Sequence, residues 1–315
     1  MHELLRELAG RDIGRYGFSV PLREHSWWRI GGPADMLAEP CSVEQAQTLM
    51  RELNRLSLPF VVIGCGSNML FDDKGVRGVV VKIGRHFSHA EINGEWITAE
   101  AGIFIPRLTR QIGRAGLTGL EHAIGIPGTL GGLVLMNGGS MQQGVGSMVD
   151  KVWAVDREGS LVEFGQSDCR FGYRSSALQE MDAAIVRVRL HGTPGDPCAI
   201  RKEMLQIMRT RRRNFPLKLP NCGSVFLGDP AMYAAIGAPG KVIEQCGLKG
   251  YRVGDAEVSR LHANFIVNLG TARSADVLSV IRHVRRVVKE RTGFLLMCEV
   301  RYLSPECRLV PAHEA

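Results

Sequence analysis

A short apolar run, Phe60-Val61-Val62-Ile63, gives way at once to Gly64-Cys65-Gly66-Ser67-Asn68. Such a run is long enough for a buried strand and too short for a helix. The glycines let the backbone take positive φ and approach a ligand closely, with N–H groups turned toward an anion. Residues 42–54, just before, read as a helix with Ser42 as N-cap and Gln45 completing a capping-box pattern. Helix, strand and glycine loop in succession is the grammar of an α/β ligand-binding unit. A Rossmann fingerprint is incomplete: no third glycine falls in register, and Met69-Leu70-Phe71 follows in place of a helix. On these residues alone the loop is as much a tight turn as a phosphate cradle.

Further strands are predicted at 79–81, at 96–101 and at 184–190, where Val186, Val188 and Leu190 alternate with Arg187 and Arg189. Residues 151–164 predict two strands about a turn at Arg157-Glu158-Gly159, and Ile105, Leu108, Ile112 and Ala115 mark one helical face. The basic stretch 195–220, ending in Pro216 and Pro220, reads as a helix and an irregular connection into a second domain. There, Val277, Leu278, Ile281, Val284 and Val288 predict the buried face of a helix over 274–290. Residues 297–303 predict a closing strand, and those after Ser304 a loose tail.

A length of 315 residues suggests two or three domains. The net charge is +7, and its densest positive stretches, Arg209-Thr210-Arg211-Arg212-Arg213 and Arg285-Arg286, have no interleaved aromatics or zinc-finger spacing, so no nucleic-acid partner is expected. None of the eight cysteines forms a CxxC pair and the nine histidines show no ligand spacing, so no metal is expected. Scattered thiols, an N-terminus without an apolar h-region and the lack of any bilayer-length apolar stretch point to a cytoplasmic protein with no membrane partner.

Several motifs could carry chemistry. Ile126-Pro127-Gly128-Thr129-Leu130-Gly131-Gly132, followed by Asn137-Gly138-Gly139, is a second glycine-rich loop; it reads as a structural turn or as part of a site for a large phosphorylated cofactor. Phe171-Gly172-Tyr173-Arg174 holds an arginine that matters if a substrate carboxylate needs a bidentate partner. Ser224, in Cys222-Gly223-Ser224-Val225-Phe226, lacks a nucleophile elbow and serves as a turn residue or a positioned proton donor. Glu299, by alternation, shares a strand face with Met297, Arg301 and Leu303, where its burial requires a partner or a function. His262-Ala263-Asn264-Phe265 supplies a histidine that reads as hydrogen-bonded and structural ahead of catalytic.

The order of these blocks is more specific than any one of them. Trp28-Arg29-Ile30-Gly31-Gly32-Pro33-Ala34, the Gly64–Asn68 loop, Gly125 to Gly132, Phe171 to Arg174, Gly223-Ser224-Val225-Phe226, His262 to Phe265 and Glu299-Val300-Arg301 follow one another over residues 20–303. The series resembles the UDP-N-acetylenolpyruvoylglucosamine reductase (UDP-N-acetylmuramate dehydrogenase) family, in its shorter subgroup.

The resemblance implies an α+β fold: an FAD-binding domain of the vanillyl-alcohol oxidase type over 20–195 (subdomains about 20–86 and 87–195), behind an N-terminal extension 1–19. A smaller α+β substrate-binding domain would occupy 196–303, and a tail 304–315. It implies non-covalent FAD held by Ile63, Gly64, Cys65, Gly66, Ser67, Asn68, Met69, Ile126, Pro127, Gly128, Thr129, Gly131, Gly132 and Asn137. It implies NADPH as hydride donor and a UDP-sugar substrate contacted by Tyr173, Arg174, Ser224 and Asn264, in a monomeric enzyme of peptidoglycan precursor synthesis. Arg174 would pair with the enolpyruvyl carboxylate, Glu299 would stand beside it as a protonated donor, and Ser224 would protonate the adjacent carbon. The chain departs from the family pattern at Leu227-Gly228-Asp229, at Gly138-Gly139-Ser140-Met141 and at Cys298, where proline is common. A flavin oxidoreductase of the same fold for another sugar or alcohol, and a basic non-enzymatic binding protein, are the alternatives.

Overall fold

The computed structural model describes residues 1–140 and 143–315; Met141, within the second departure, lies outside them. The chain packs as two units that are not contiguous in sequence. One comprises Met1–Phe18, Met36–Cys65 and Gly78–Thr210; the other comprises Ser19–Asp35, Gly66–Arg77 and Arg211–Ala315.

In the first unit the helix Val43–Arg55 begins at Ser42, whose hydroxyl accepts from the Gln45 N–H at 3.2 Å. The capping box is only half formed, because the Gln45 Oε1 accepts from Cys41 N–H at 2.8 Å. Phe60–Ile63 is a strand, parallel to Val76–Lys82, in a four-stranded sheet completed by Pro33–Glu39 and Arg15–Pro21. A second sheet runs Leu161–Gly165, Val149–Val155, Ala184–His191, Trp96–Glu100, Ala90–Asn93, and its pairings are antiparallel. Val186, Val188 and Leu190 are buried, and the partly exposed Arg189 pairs with Asp150 at 2.5 Å. The turn at Gly159 needs its φ of +80°, and a Cβ there would lie 2.5 Å from the Gln47 carbonyl. The N-terminal extension is folded: Leu5 and Leu8 of the helix His2–Ala9, with Ile13, enter the core of this unit.

In the second unit the helix Ser274–Thr292 buries Val277, Leu278, Ile281, Val284 and Val288, as its period predicts. Each such side chain contributes roughly 1.5–3 kcal/mol on burial. Gly293, at φ 79°, closes the helix in the left-handed conformation. Trp28 is fully buried, donating from Nε1 to the Ile266 carbonyl at 2.7 Å, while Asn268 Nδ2 donates to the Trp28 carbonyl at 2.9 Å.

Two expectations are corrected here. The strand predicted over 297–303 is regular only at Arg301–Leu303, parallel to Met69–Phe71. Upstream the chain bends, because its N–H groups serve different partners: Cys298 N donates to His313 Nδ1 at 3.0 Å and Glu299 N to the Val225 carbonyl at 2.9 Å. Glu299 therefore does not lie on one continuous strand face with Arg301. Nor are the residues after Ser304 a loose tail. Leu309–Pro311 pairs antiparallel with Arg301–Leu303, Ala312 is buried, and Pro305 O accepts from Arg77 N at 2.8 Å. Truncation after Ser304 strips one edge of that sheet and the acceptor of Cys298 N, so we expect a lower urea midpoint. An unchanged midpoint would show the segment to be dispensable.

Burial pushes the Cys298 thiol up to about 12 and the Cys169 thiol up to about 11, as expected of inert core cysteines. Among the described residues no helix is long and apolar enough to cross a membrane.

Candidate active site

The two glycine-rich loops meet in the first unit. A Cβ on Gly64 would lie 2.3 Å from Thr129 Oγ1, and Cys65 Sγ donates to the Pro127 carbonyl at 3.4 Å. Thr129 is also the N-cap of the short helix Leu130–Leu135, its hydroxyl accepting from Gly132 N at 3.4 Å. Gly131 lies hard against Ala101, donating to its carbonyl at 2.7 Å, with a Cβ position only 3.0 Å from the Ala101 methyl. Gly64, Cys65, Ile126, Pro127 and Gly132 stay partly accessible while Gly128 and Thr129 are buried behind them. This glycine-rich ledge suits the pyrophosphate and ring of a flavin nucleotide.

The rest of the first loop belongs to the second unit. Gly66 takes φ +66° with its Cβ position 2.0 Å from the His25 carbonyl, so only glycine fits. Asn68 Nδ2 donates to the Glu299 carbonyl at 3.2 Å, and Met69 is buried at the start of its strand.

Arg174 is in the first unit, at a φ of 53° that non-glycine residues seldom adopt. Three contacts hold the turn. Asn137 Nδ2 donates to the Gly172 carbonyl at 2.8 Å, Gln179 Nε2 to the Arg174 carbonyl at 3.1 Å, and Arg174 Nη2 to the Gly139 carbonyl at 2.9 Å. Asn137 Oδ1 also accepts from Gly146 N at 2.8 Å, so its side chain braces the arginine turn. The guanidinium lies 5.5 Å from the centre of the exposed Tyr173 ring.

Ser224 and Glu299 are in the second unit, on adjoining segments. Val225 donates its N–H to the Asn264 carbonyl and accepts at its own carbonyl from Glu299 N, both at 2.9 Å. The Asn264 side chain closes on Phe226 at both ends, Oδ1 accepting from its N–H and Nδ2 donating to its carbonyl, each at 2.9 Å. Asn264 is buried and fixes the backbone that carries Ser224. His262 serves the same loop: its Nδ1 accepts from Asn264 N at 3.2 Å, and its ring packs edge-on to Phe215 and Phe265.

Two departures have local reasons. Asp229 caps the helix Pro230–Ala235, accepting from Ala231 N at 2.7 Å. Cys298 uses the N–H that a proline would lack.

The comparisons with known proteins fall on the same two regions. Residues 34–165 match the FAD binding domain model, and residues 215–303 match the model described as UDP-N-acetylenolpyruvoylglucosamine reductase, C-terminal domain. The UDP-N-acetylenolpyruvoylglucosamine reductase 1 of Corynebacterium glutamicum is 47% identical over 300 residues, covering 95% of this chain and 90% of that one. The chain belongs to the UDP-N-acetylenolpyruvoylglucosamine reductase family. The reductase of Heliobacterium modesticaldum is 41% identical over 295 residues, 93% of either chain. The crystal structure of the Thermus caldophilus reductase superposes with a TM-score of 0.76 at 33% identity, over 91% of this chain and 98% of that one. The expected fold is thereby confirmed: an FAD-binding domain of the vanillyl-alcohol oxidase type joined to the C-terminal domain of this reductase family. Members of the family are FAD-containing oxidoreductases, and so is this chain.

The motifs gave no role to His122 or to Ser140. His122 is buried, its Nδ1 accepts from Ser140 N at 3.4 Å, and its carbonyl accepts from Ser140 Oγ at 2.5 Å. Burial, helped by the Arg174 charge, holds the imidazole below its ordinary value, against the opposing pull of Glu121. His262 and His313 are lowered too, again chiefly by burial. Histidines with a depressed folded-state pKa favour folding fully above the unfolded value of about 6.5, and that contribution is lost as pH falls below it. Carboxylates held low, such as Asp255 and Glu52, matter only nearer pH 4. Urea midpoints should therefore fall between pH 7 and 5.5; a flat profile over that window would contradict the buried neutral imidazoles.

Proposed function

We propose that this chain reduces UDP-N-acetylglucosamine enolpyruvate with NADPH to UDP-N-acetylmuramate, in the cytoplasm, as a monomer and as a step of peptidoglycan precursor synthesis for cell-wall growth and division. FAD, when bound, supplies the hydride relay from the nicotinamide to the vinyl carbon. Gly64, Cys65, Gly66, Ser67 and Asn68, with Ile126 to Gly132, would hold it along the ledge formed against Thr129. Residues 20–195 would carry the cofactor and 196–303 the sugar nucleotide.

Hydride arrival at the vinyl carbon pushes charge onto the carboxylate, which must be stabilised where it develops. Arg174 offers a planar fork for that carboxylate. Glu299, protonated, would add a hydrogen bond to the enolate-like form, and Ser224 would give its proton to the adjacent carbon. The observation that carries this assignment is the fixed backbone around Ser224: Val225 hydrogen-bonds to Asn264 on one side and Glu299 on the other, a placement suited to a positioned donor.

An anaerobic experiment tests it. The purified protein should be yellow, bleach with NADPH and recover its absorbance when UDP-N-acetylglucosamine enolpyruvate is added. Bleaching without recovery would assign the flavoenzyme to another acceptor. A protein that stays colourless after reconstitution with FAD would overturn the reading.

A further inference from the structure

We propose that His122 is a positioning residue for Arg174, acting through Ser140 and Gly139; the inference rests on Arg174 being the carboxylate partner. His122 sits in the turn Glu121–Ala123, just ahead of the second glycine loop. It grips Ser140 twice, through Nδ1 to the N–H and through its carbonyl to the hydroxyl. The residue before Ser140 is Gly139, whose carbonyl accepts from Arg174 Nη2. Gly139 lies close against the backbone of Gln143, where an added Cβ would come within 1.8 Å of the Gln143 carbonyl. Fixing Ser140 thus fixes the oxygen that orients the guanidinium.

The ring's protonation state suits this work. Only a neutral imidazole with its proton on Nε2 presents a lone pair at Nδ1 to the Ser140 N–H. A charged ring would lose that acceptor and stand near the Arg174 cation.

The test uses the full chain loaded with FAD and compares His122→Phe, His122→Asn, Ser140→Ala and Arg174→Ala. Substrate affinity is read by titrating oxidised flavin absorbance, and the two half-reactions by anaerobic stopped flow. His122→Phe should weaken substrate binding and raise the half-saturation of reoxidation about fivefold, the effect of about one neutral hydrogen bond. Flavin content and reduction by NADPH should stay within about twofold, since neither uses the carboxylate site. His122→Asn, whose amide oxygen can accept from Ser140 N, should recover most of the loss. Ser140→Ala should cost about threefold and be non-additive with His122→Phe. If Arg174→Ala cripples reoxidation while His122→Phe and Ser140→Ala leave substrate affinity unchanged, the inference fails and the Arg174 assignment stands. If Arg174→Ala has no effect, the assignment itself fails and the inference with it. Equal slowing of both half-reactions in His122→Phe, without rescue by asparagine, would reduce His122 to a core residue. Should His122→Phe not fold, Ser140→Ala and His122→Asn decide between the same outcomes.

Discussion

Replacing Ser224 with alanine should slow reoxidation of the reduced flavin by UDP-N-acetylglucosamine enolpyruvate about 10³-fold, while reduction by NADPH stays within about twofold. The magnitude is that of a positioned general acid. The split follows from where the proton is needed: the first half-reaction moves a hydride onto the cofactor and asks nothing of Ser224, whereas the second leaves a carbanion-like centre that must be protonated. The substitution is clean, because the hydrogen bonds that hold this segment belong to its neighbours. Val225 carries the backbone bonds to Asn264 and Glu299, and Phe226 those to the Asn264 amide. Ser224→Ala should therefore leave the loop in place and the substrate affinity nearly unchanged, so the loss appears in the rate and not in half-saturation. Ser224→Cys, which keeps a proton donor, should recover part of it. If both half-reactions slow together, Ser224 is not the proton donor.

What was legible in the sequence follows the range of the interaction responsible. The helix Ser274–Thr292 was readable because its buried face repeats every three to four residues. The strands 60–63 and 184–191 were readable for the same local reason, with period two in the second. The closing strand was over-read because alternation says nothing of partners: a loop far upstream takes Glu299 N, and the folded C-terminus takes Cys298 N. The C-terminal residues looked loose because Leu309–Pro311 is too short to show a pattern without the strand it pairs with. The glycine loops were visible singly; that Gly64 abuts Thr129, far along the chain, was not. Asn264 also braces Phe226, a role that only the pairing of its amide with a distant backbone reveals. His122 had no motif at all: its burial and its pairing with Ser140, eighteen residues on, appear only in the folded chain.

Gly64→Ala should abolish tight FAD binding while the apoprotein stays folded. Gly64 is not at positive φ, so alanine meets no backbone penalty there; the obstacle is its new methyl, 2.3 Å from Thr129 Oγ1. Real contacts of this kind stay beyond about 3 Å, so one of the two must move. Thr129 is poorly placed to yield. Its hydroxyl caps the helix Leu130–Leu135, and the next two amides are tied to the Ile103 and Ala101 carbonyls at 3.0 and 2.7 Å. The loop 64–68 is the softer partner, and its displacement spoils the ledge that would receive the cofactor. We expect the dissociation constant for FAD, read by flavin fluorescence quenching on the apoprotein, to rise about 100-fold, or ~2.7 kcal/mol. Thr129→Ala removes the offending oxygen at the cost of a helix cap, about 1 kcal/mol. The Gly64→Ala/Thr129→Ala double variant should thus bind FAD more tightly than Gly64→Ala alone, a sign reversal that simple accumulation of damage cannot produce. If Gly64→Ala binds FAD normally, this loop does not cradle the cofactor. If the double variant is worse than either single one, the close approach to Thr129 is not what makes glycine necessary at this position.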